Sequence, residues 1–226
     1  MRSTVANPRG RVRVSMPSDF GQHFLTPLFV EYATRYPDID LELDLSPRIV
    51  DLLGEGFDLA VRIGGQPDSA LATRTVARVR GAVFASPAYL AQHGAPATPD
   101  DLARHSCLTL VRGDLRRQWT LHNGAKQVTV RVAGRAAANN PSMLKRLAAA
   151  GLGLALVDEL VAVDDVERGA LVRVLEDWRP PLVPVHAVTL TKSPPKKVRL
   201  LLDCLRDHIA SVRARVEAGP RPAGSK

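Results

Sequence analysis

Between residues 11 and 63 the apolar pattern switches back and forth between the period of a strand and that of a helix, and this alternation limits the folds open to the chain. Residues 11–16 alternate, with Val12, Val14 and Met16 to one side, as a strand does. Pro17-Ser18-Asp19-Phe20-Gly21 reads as a turn in which Ser18 or Asp19 can cap a helix. Phe20, Phe24, Leu28 and Tyr32 then recur at helical spacing, with Leu25 and Phe29 beside them. Pro27 is expected in the first turn of the main helix, with Thr26 as its cap, or else at a kink. Residues 40–45 alternate acid and leucine, which predicts a strand with one wet face near a sheet edge. Ser46-Pro47 predicts a short helix, with serine capping and proline in first position. It should run through Ile49, Val50, Leu52 and Leu53 and stop at Gly54 to Gly56. Residues 57–63 form the third expected strand, ended by Gly64-Gly65. Such an order implies parallel strands joined by right-handed crossovers. Ligands of these sheets bind beyond the carboxyl ends of the strands, beside helix N-termini.

A second block opens near Gly81. A short strand at 83–85 precedes a helix begun by Ser86-Pro87, and Thr98-Pro99-Asp100-Asp101 has the spacing of a capping box. Residues 107–111 read as a strand. Residues 119–122 and 127–132 read as a hairpin about Asn123-Gly124. Asn140-Pro141 opens a helix closed by Gly151, residues 152–157 are a buried strand, Asp158 caps another helix, and 171–175 are a short strand. Composition breaks at Trp178-Arg179-Pro180-Pro181. A strand at 185–190 and a helix from 196 to about 215 follow, the latter with Val198, Leu201, Leu202, Leu205, Ile209 and Val212 inward.

Several function classes are disfavoured by composition. The 226 residues are 45% hydrophobic, enough for one large domain or two small ones. No apolar run approaches the ~20 residues that span a bilayer. The first 13 residues do not resemble a secretory signal, so a cytoplasmic protein is expected. Cys107 and Cys204 are expected as free thiols, and no Cys/His cluster has metal-ligand spacing. None of the six histidines has a serine, cysteine or acid at a motif spacing. No catalytic residue, metal or cofactor is therefore expected. The net charge of +8 sits at the ends: residues 1–13 carry four arginines and no acid, and residues 196–226 carry eight basic against three acidic side chains. The body between is near neutral, which disfavours a nucleic-acid interface across it. Residues 213–226 are expected to be a disordered basic tail.

Eight stretches in order carry a family resemblance. They include the opening 10–21; Leu28 followed by Arg35-Tyr36-Pro37 and the alternating strand; Glu55-Gly56-Phe57-Asp58-Leu59-Ala60-Val61-Arg62-Ile63-Gly64; Ala85-Ser86-Pro87-Ala88-Tyr89-Leu90; Ala138-Asn139-Asn140; Gly151-Leu152-Gly153-Leu154-Ala155-Leu156; and Asp177-Trp178-Arg179-Pro180-Pro181. Together, over residues 10–209, they resemble the effector-binding domain of LysR-type transcription regulators. The resemblance implies an α/β, two-lobed fold similar to type 2 periplasmic binding proteins, each lobe a mostly parallel sheet flanked by helices. Lobe one would be 10–80 plus 184–212 and lobe two 81–183, with residues 1–9 a linker stub. It also implies that the family's N-terminal winged helix-turn-helix is absent, so that DNA would be a partner only through that missing head. Pro47 and Asp158 stand where relatives often carry an acid and a proline.

The same resemblance implies a small-molecule effector held between the lobes by Pro17, Ser18, Asp19, Ser46, Arg48, Arg62, Ile63, Gly64, Asn139 and Asn140. Backbone N–H groups at helix starts favour an anion such as a carboxylate. Each serine has an alternative as a plain cap. Arg62 either grips a carboxylate or pairs with Asp58 or Asp19, and Arg48 is either a rim contact or an exposed helix arginine. Asn140 reads first as a cap. Phe24, Leu25, Leu28, Phe29, Tyr32 and Leu43 are expected at the interface of a homodimer or tetramer; the alternative buries them within one subunit. A free-standing solute-binding protein of the same fold is the competing function, and it needs an export signal that the sequence does not display.

Overall fold

The computed structural model describes residues 8–46, 48–65, 71–111 and 117–217. The expected disordered tail lies largely outside the described residues, as do Pro47 and most of the linker stub. The chain divides into two compact units, Met1–Arg78 with Val183–Lys226, and Val79–Leu182.

The first unit is built on strands β1 (Gly10–Met16), β2 (Ile39–Leu45), β3 (Leu59–Ile63), β4 (Ala72–Val79) and the late strand β12 (Val183–Thr189), in the order β2-β1-β3-β12-β4. β1 pairs in parallel with β2 from Gly10↔Ile39 to Met16↔Leu45, and with β3 at Val14↔Leu59 and Ser15↔Ala60. β12 runs antiparallel to β3. Strand alternation sends Val12, Val14 and Met16 into the core, all essentially inaccessible to water. α1 (Thr26–Arg35) and α5 (Lys196–Glu217) pack together in this unit. The Tyr32 hydroxyl donates to the Lys197 carbonyl at 2.6 Å, and the His208 ring sits 2.7 Å from the Phe24 carbonyl. The inward face of α5 buries Val198, Leu201, Leu205 and Ile209.

Two helix expectations need correction. Residues 20–25 form a π-helical segment that passes directly into α1, with Pro27 in the first turn of α1. Proline has no N–H, and its ring collides with the carbonyl four residues back, so the wider turn relieves the clash. The Thr26 hydroxyl donates to the Gln22 carbonyl at 2.8 Å, taking up an acceptor that proline cannot serve. The second correction is the short helix from Ser46. Among the described residues, 48–57 hold no helix and form instead a strap of turns. Local carboxylates outcompete the helical ladder here. Asp51 accepts from the N–H groups of Leu53 and Gly54, Glu55 accepts from that of Asp51, and the Arg48 carbonyl is taken by Arg62. Val50, Leu52 and Phe57 anchor the strap on Ala60 and Val188. Each such side chain contributes about 1.5–3 kcal/mol on burial.

The dimer expectation also changes. Phe24, Leu25, Leu28, Phe29 and Tyr32 are buried within the chain itself, because the π-helical segment and α1 lay these faces on the sheet and on α5. Only Leu43 of that set is exposed, at 41%, together with Leu45 on the same edge strand.

The second unit carries β5 (Gly81–Ala85), β6 (Cys107–Leu110), the hairpin β7 (Gln118–Asn123) and β8 (Lys126–Arg131), β9 (Ala137–Ala138), β10 (Leu154–Asp158) and β11 (Val172–Val174). Its five-stranded sheet has the order β11-β5-β10-β6-β9, with the hairpin forming a separate pair. Helices α2 (Pro87–His93), α3 (Pro141–Ala149) and α4 (Glu159–Glu167) are capped by Ser86, Asn140 and Asp158, each accepting a backbone N–H. Thr98 and Asp101 form the expected capping box on the short 3₁₀ helix Pro99–Arg104. Gly124 takes φ +56 at the first central position of the hairpin loop. Beneath α3, Lys145 and Asp165 make a buried ion pair at 2.5 Å, and Arg168 closes on the second carboxylate oxygen. Both cysteines are free thiols; burial pushes that of Cys107 up to about 12.

Two predictions follow from this packing. A Cβ on Gly153 would lie 2.1 Å from the Ser106 carbonyl oxygen, a backbone atom that cannot swing aside. Gly153→Ala should therefore cost about 2–3 kcal/mol in urea titration, and an unchanged midpoint would refute the close approach. Burial also raises the Asp158 carboxyl to about 7. The folded state then holds a proton that the unfolded chain releases near pH 4, so stability falls as pH rises from about 4 to about 7 and is level above. Asp158→Asn keeps the cap and removes the ionisation. It should flatten that slope and exceed the parent in stability at pH 8; an unaltered slope would contradict the assignment.

Candidate functional site

Because β1, β2 and β3 are mutually parallel, their carboxyl ends open on the same edge of the first unit. Pro17, Ser18 and Asp19 leave β1, Ser46 leaves β2, and Arg62, Ile63 and Gly64 end β3. Continuing the registers places Ser46 beside Pro17 and Arg62 level with it. The first-unit candidates are thus brought together.

Ser18 and Asp19 begin the helical turn themselves instead of capping it, and the Pro17 carbonyl accepts from Gly21 N–H at 3.0 Å. Gly21 is needed here: a Cβ would sit 2.6 Å from Leu45 and 2.9 Å from the Met16 sulfur. This close contact draws the helix start down onto the ends of β1 and β2. Gly64 takes φ +66, the left-handed region, and its N–H donates to Pro184 across to β12.

Arg62 is half-buried and tied into the framework. One terminal nitrogen donates to the carbonyls of Ser15 (3.2 Å) and Val61 (2.9 Å). The other donates to the Ser15 hydroxyl and to the Arg48 carbonyl, both at 3.1 Å. Burial lowers its pKa from the ordinary arginine value, and the negative charge of Asp44 opposes that shift. Asp58 accepts the Arg13 backbone N–H at 2.9 Å. The guanidinium therefore gathers β1, β3 and the strap, and its charge stays at the strand ends.

Arg48 is exposed and engaged. Its two terminal nitrogens grip Glu55 at 2.7 and 2.5 Å, and one also approaches Asp44 at 3.4 Å. The Arg48 fork, with help from the Asp51 N–H, holds the Glu55 carboxyl down at about 2. Ser46 differs from its neighbours. Its hydroxyl is buried and has no hydrogen-bond partner among the described residues. An enclosed hydroxyl without a partner costs about 1–3 kcal/mol, so it is a polar group awaiting one.

Asn139 and Asn140 lie in the second unit, at the carboxyl end of β9, which runs parallel to β6. Asn140 caps α3 by accepting from Met143 N–H at 2.8 Å, and Asn139 is exposed. Sequence reasoning missed Ser15 and Asp44. Ser15 alternates with the buried Val14 and Met16, which is the signal that could have placed it on the face opposite the core, whereas Asp44 lies between the exposed Leu43 and Leu45. Among the described residues no group of three or more His, Cys, Asp or Glu side chains could hold a metal ion, and no helix is long and apolar enough to cross a membrane.

Comparison with known proteins gives this arrangement a family. The chain is 31% identical over 219 residues to the probable HTH-type transcriptional regulator LtrA of Klebsiella pneumoniae, covering 94% of the chain and 70% of that protein. It is 35% identical over 187 residues to an HTH-type transcriptional regulator of Xanthomonas campestris, covering 81% of the chain and 54% of that protein. The chain thus spans between about half and about two thirds of these relatives. Among solved structures, the regulatory domain of CrgA, a LysR-type transcriptional regulator from Neisseria meningitidis, matches with a TM-score of 0.79 and 29% identity, over 88% of the chain and 98% of that domain. The fold is accordingly the type 2 periplasmic-binding-protein-like α/β fold. With the family model for the LysR substrate binding domain matching residues 6–210, this chain belongs to the LysR substrate-binding-domain family.

Proposed function

We propose that this chain senses a small anionic metabolite for a LysR-type regulator in the cytoplasm, and that it is not an enzyme. The effector would bind at the carboxyl ends of β1, β2 and β3, with Ser46 and Arg62 as its principal contacts there and Ser18 and Asp19 presenting helix-start N–H groups. Binding favours one arrangement of the protein over another, and a homodimer would pass that preference to a DNA-binding head of the kind named in the relatives. One observation supports this reading: the buried hydroxyl of Ser46, without a hydrogen-bond partner among the described residues, lies where β2 ends, on the same sheet edge where Arg62 ends β3. A ligand oxygen there would satisfy the hydroxyl and meet a charge that the chain has already positioned.

Titration calorimetry against a panel of small carboxylates and aromatic acids tests the proposal. At least one compound should bind, and Ser46→Ala should weaken it about tenfold or more. The same substitution should leave the unliganded fold as stable or up to about 1 kcal/mol more stable, because it removes an unsatisfied group. No binder in the panel, or full affinity in the alanine variant, overturns the reading.

The homodimer is proposed to use the exposed leucines of edge strand β2. Leu43→Arg should convert dimer to monomer in sedimentation at micromolar concentration. A parent chain that is monomeric under those conditions, or a dimer that survives the substitution, would contradict this interface.

A further inference from the structure

In the second unit, two arginines share one carboxylate, and a third is joined to the same residue through its backbone. Arg173 sits at the centre of edge strand β11, opposite Phe84 of β5. One terminal nitrogen donates to Glu159 Oε1 at 3.3 Å and the other to the Glu176 carbonyl at 2.7 Å. Arg179, in the segment after β11, donates to the same Glu159 oxygen at 2.7 Å. Arg80 joins them through the backbone, its carbonyl accepting the Glu159 N–H at 2.9 Å. The Arg80 side chain makes no hydrogen bond or ion pair among the described residues. It nevertheless lies near enough to act on Arg173. Burial lowers the Arg173 pKa first, and the like charges of Arg179 and Arg80 lower it further, against Glu159 and Glu176.

Two features of this cluster are unexplained by internal pairing. The charges do not balance, since three arginines face the two carboxylates of Glu159 and Glu176, and among the described residues the Arg80 side chain has no hydrogen-bond or ion-pair partner. The Nε of Arg173 is also buried with no acceptor. Both deficits call for a further anion. A carboxylate has two oxygens in one plane, a shape that matches one guanidinium fork. Arginines borne on three separate segments, the residue before β5, β11 and the stretch after it, suit an acceptor with three or more oxygens in different directions.

We propose that Arg80, Arg173 and Arg179 form a binding site for a tetrahedral oxyanion, namely phosphate, sulfate or the phosphoryl group of a metabolite. The site lies wholly within the second unit and is separate from the effector site proposed above. Arg80 and Arg179 each stand within three residues of a point where the chain passes from one unit to the other, between 78 and 79 and between 182 and 183. A bound anion would therefore brace both crossing segments together.

Thermal denaturation and calorimetry of the full chain test this, with potassium phosphate and potassium sulfate compared with potassium chloride at equal ionic strength. Phosphate or sulfate should raise the midpoint saturably, and chloride should not. Arg80→Gln breaks no described side-chain contact and should fold as the parent does, yet bind phosphate about tenfold more weakly or worse. Arg206→Gln, a charge change of the same sign on α5, should leave phosphate affinity unaltered. Glycerol 3-phosphate binding more tightly than inorganic phosphate would assign the site to a phosphorylated metabolite, and equal binding to the free anion. Identical effects of chloride and phosphate, or parental affinity in Arg80→Gln, would overturn the proposal.

Discussion

Parallel pairing of β1 with both β2 and β3 is the constraint on which the rest of the first unit depends. It sends three strand ends to one edge, so that a turn, a hydroxyl and a guanidinium widely separated in sequence share that edge. Arg62 then holds that edge in place. Hydrogen bonds from a charged donor contribute about 1.5–3 kcal/mol each, and this side chain makes four, to β1, to β3 and to the strap that follows β2. The strap in turn covers the sheet face on which Ser15 and Arg62 lie. The choice between gripping a ligand and holding the architecture is therefore not exclusive for Arg62. Its framework bonds fix the direction in which its charge is offered.

Charge on this face is arranged in short chains. Arg11 and Arg13 meet Glu42, and Arg48 meets Glu55 and Asp44. Exposed pairs of this kind contribute about 0–1 kcal/mol each, so they orient the strap more than they stabilise it. Lys145 and Asp165 in the second unit form a different kind of pair. Both are buried, and loss of one partner from such a pair costs about 3–5 kcal/mol.

Much of the fold was legible in the sequence because turn chemistry and apolar period agreed there. Val12, Val14 and Met16 alternate into the core, Asn140 caps where Asn-Pro predicts it, and Asn-Gly marks the hairpin. Legibility failed where side chains compete with the backbone. Ser46-Pro47 carries a helix-start signal, but Asp51 and Glu55 take the N–H groups that a helix would use. β4 was missed because its Thr and Arg residues face solvent at a sheet edge and leave no clear alternation. The apolar stripe from Phe24 to Tyr32 was readable as buried, but not what buries it, since α5 arrives from the far end of the chain. The location of Ser18, Ser46 and Arg62 at strand ends was readable from the alternation of strand and helix periods. Asp44 and the Glu159–Arg173–Arg179 cluster are brought together only by long-range pairing, which no local pattern records.

Hydrogen exchange on the chain with and without a bound small carboxylate tests the central claim most directly. The account predicts that amide protection gained on binding concentrates, within the first unit, at residues 17–21, 46–50 and 62–64. Protection gained elsewhere in the first unit, with those three segments exchanging as before, would contradict the convergence of the strand ends on the ligand.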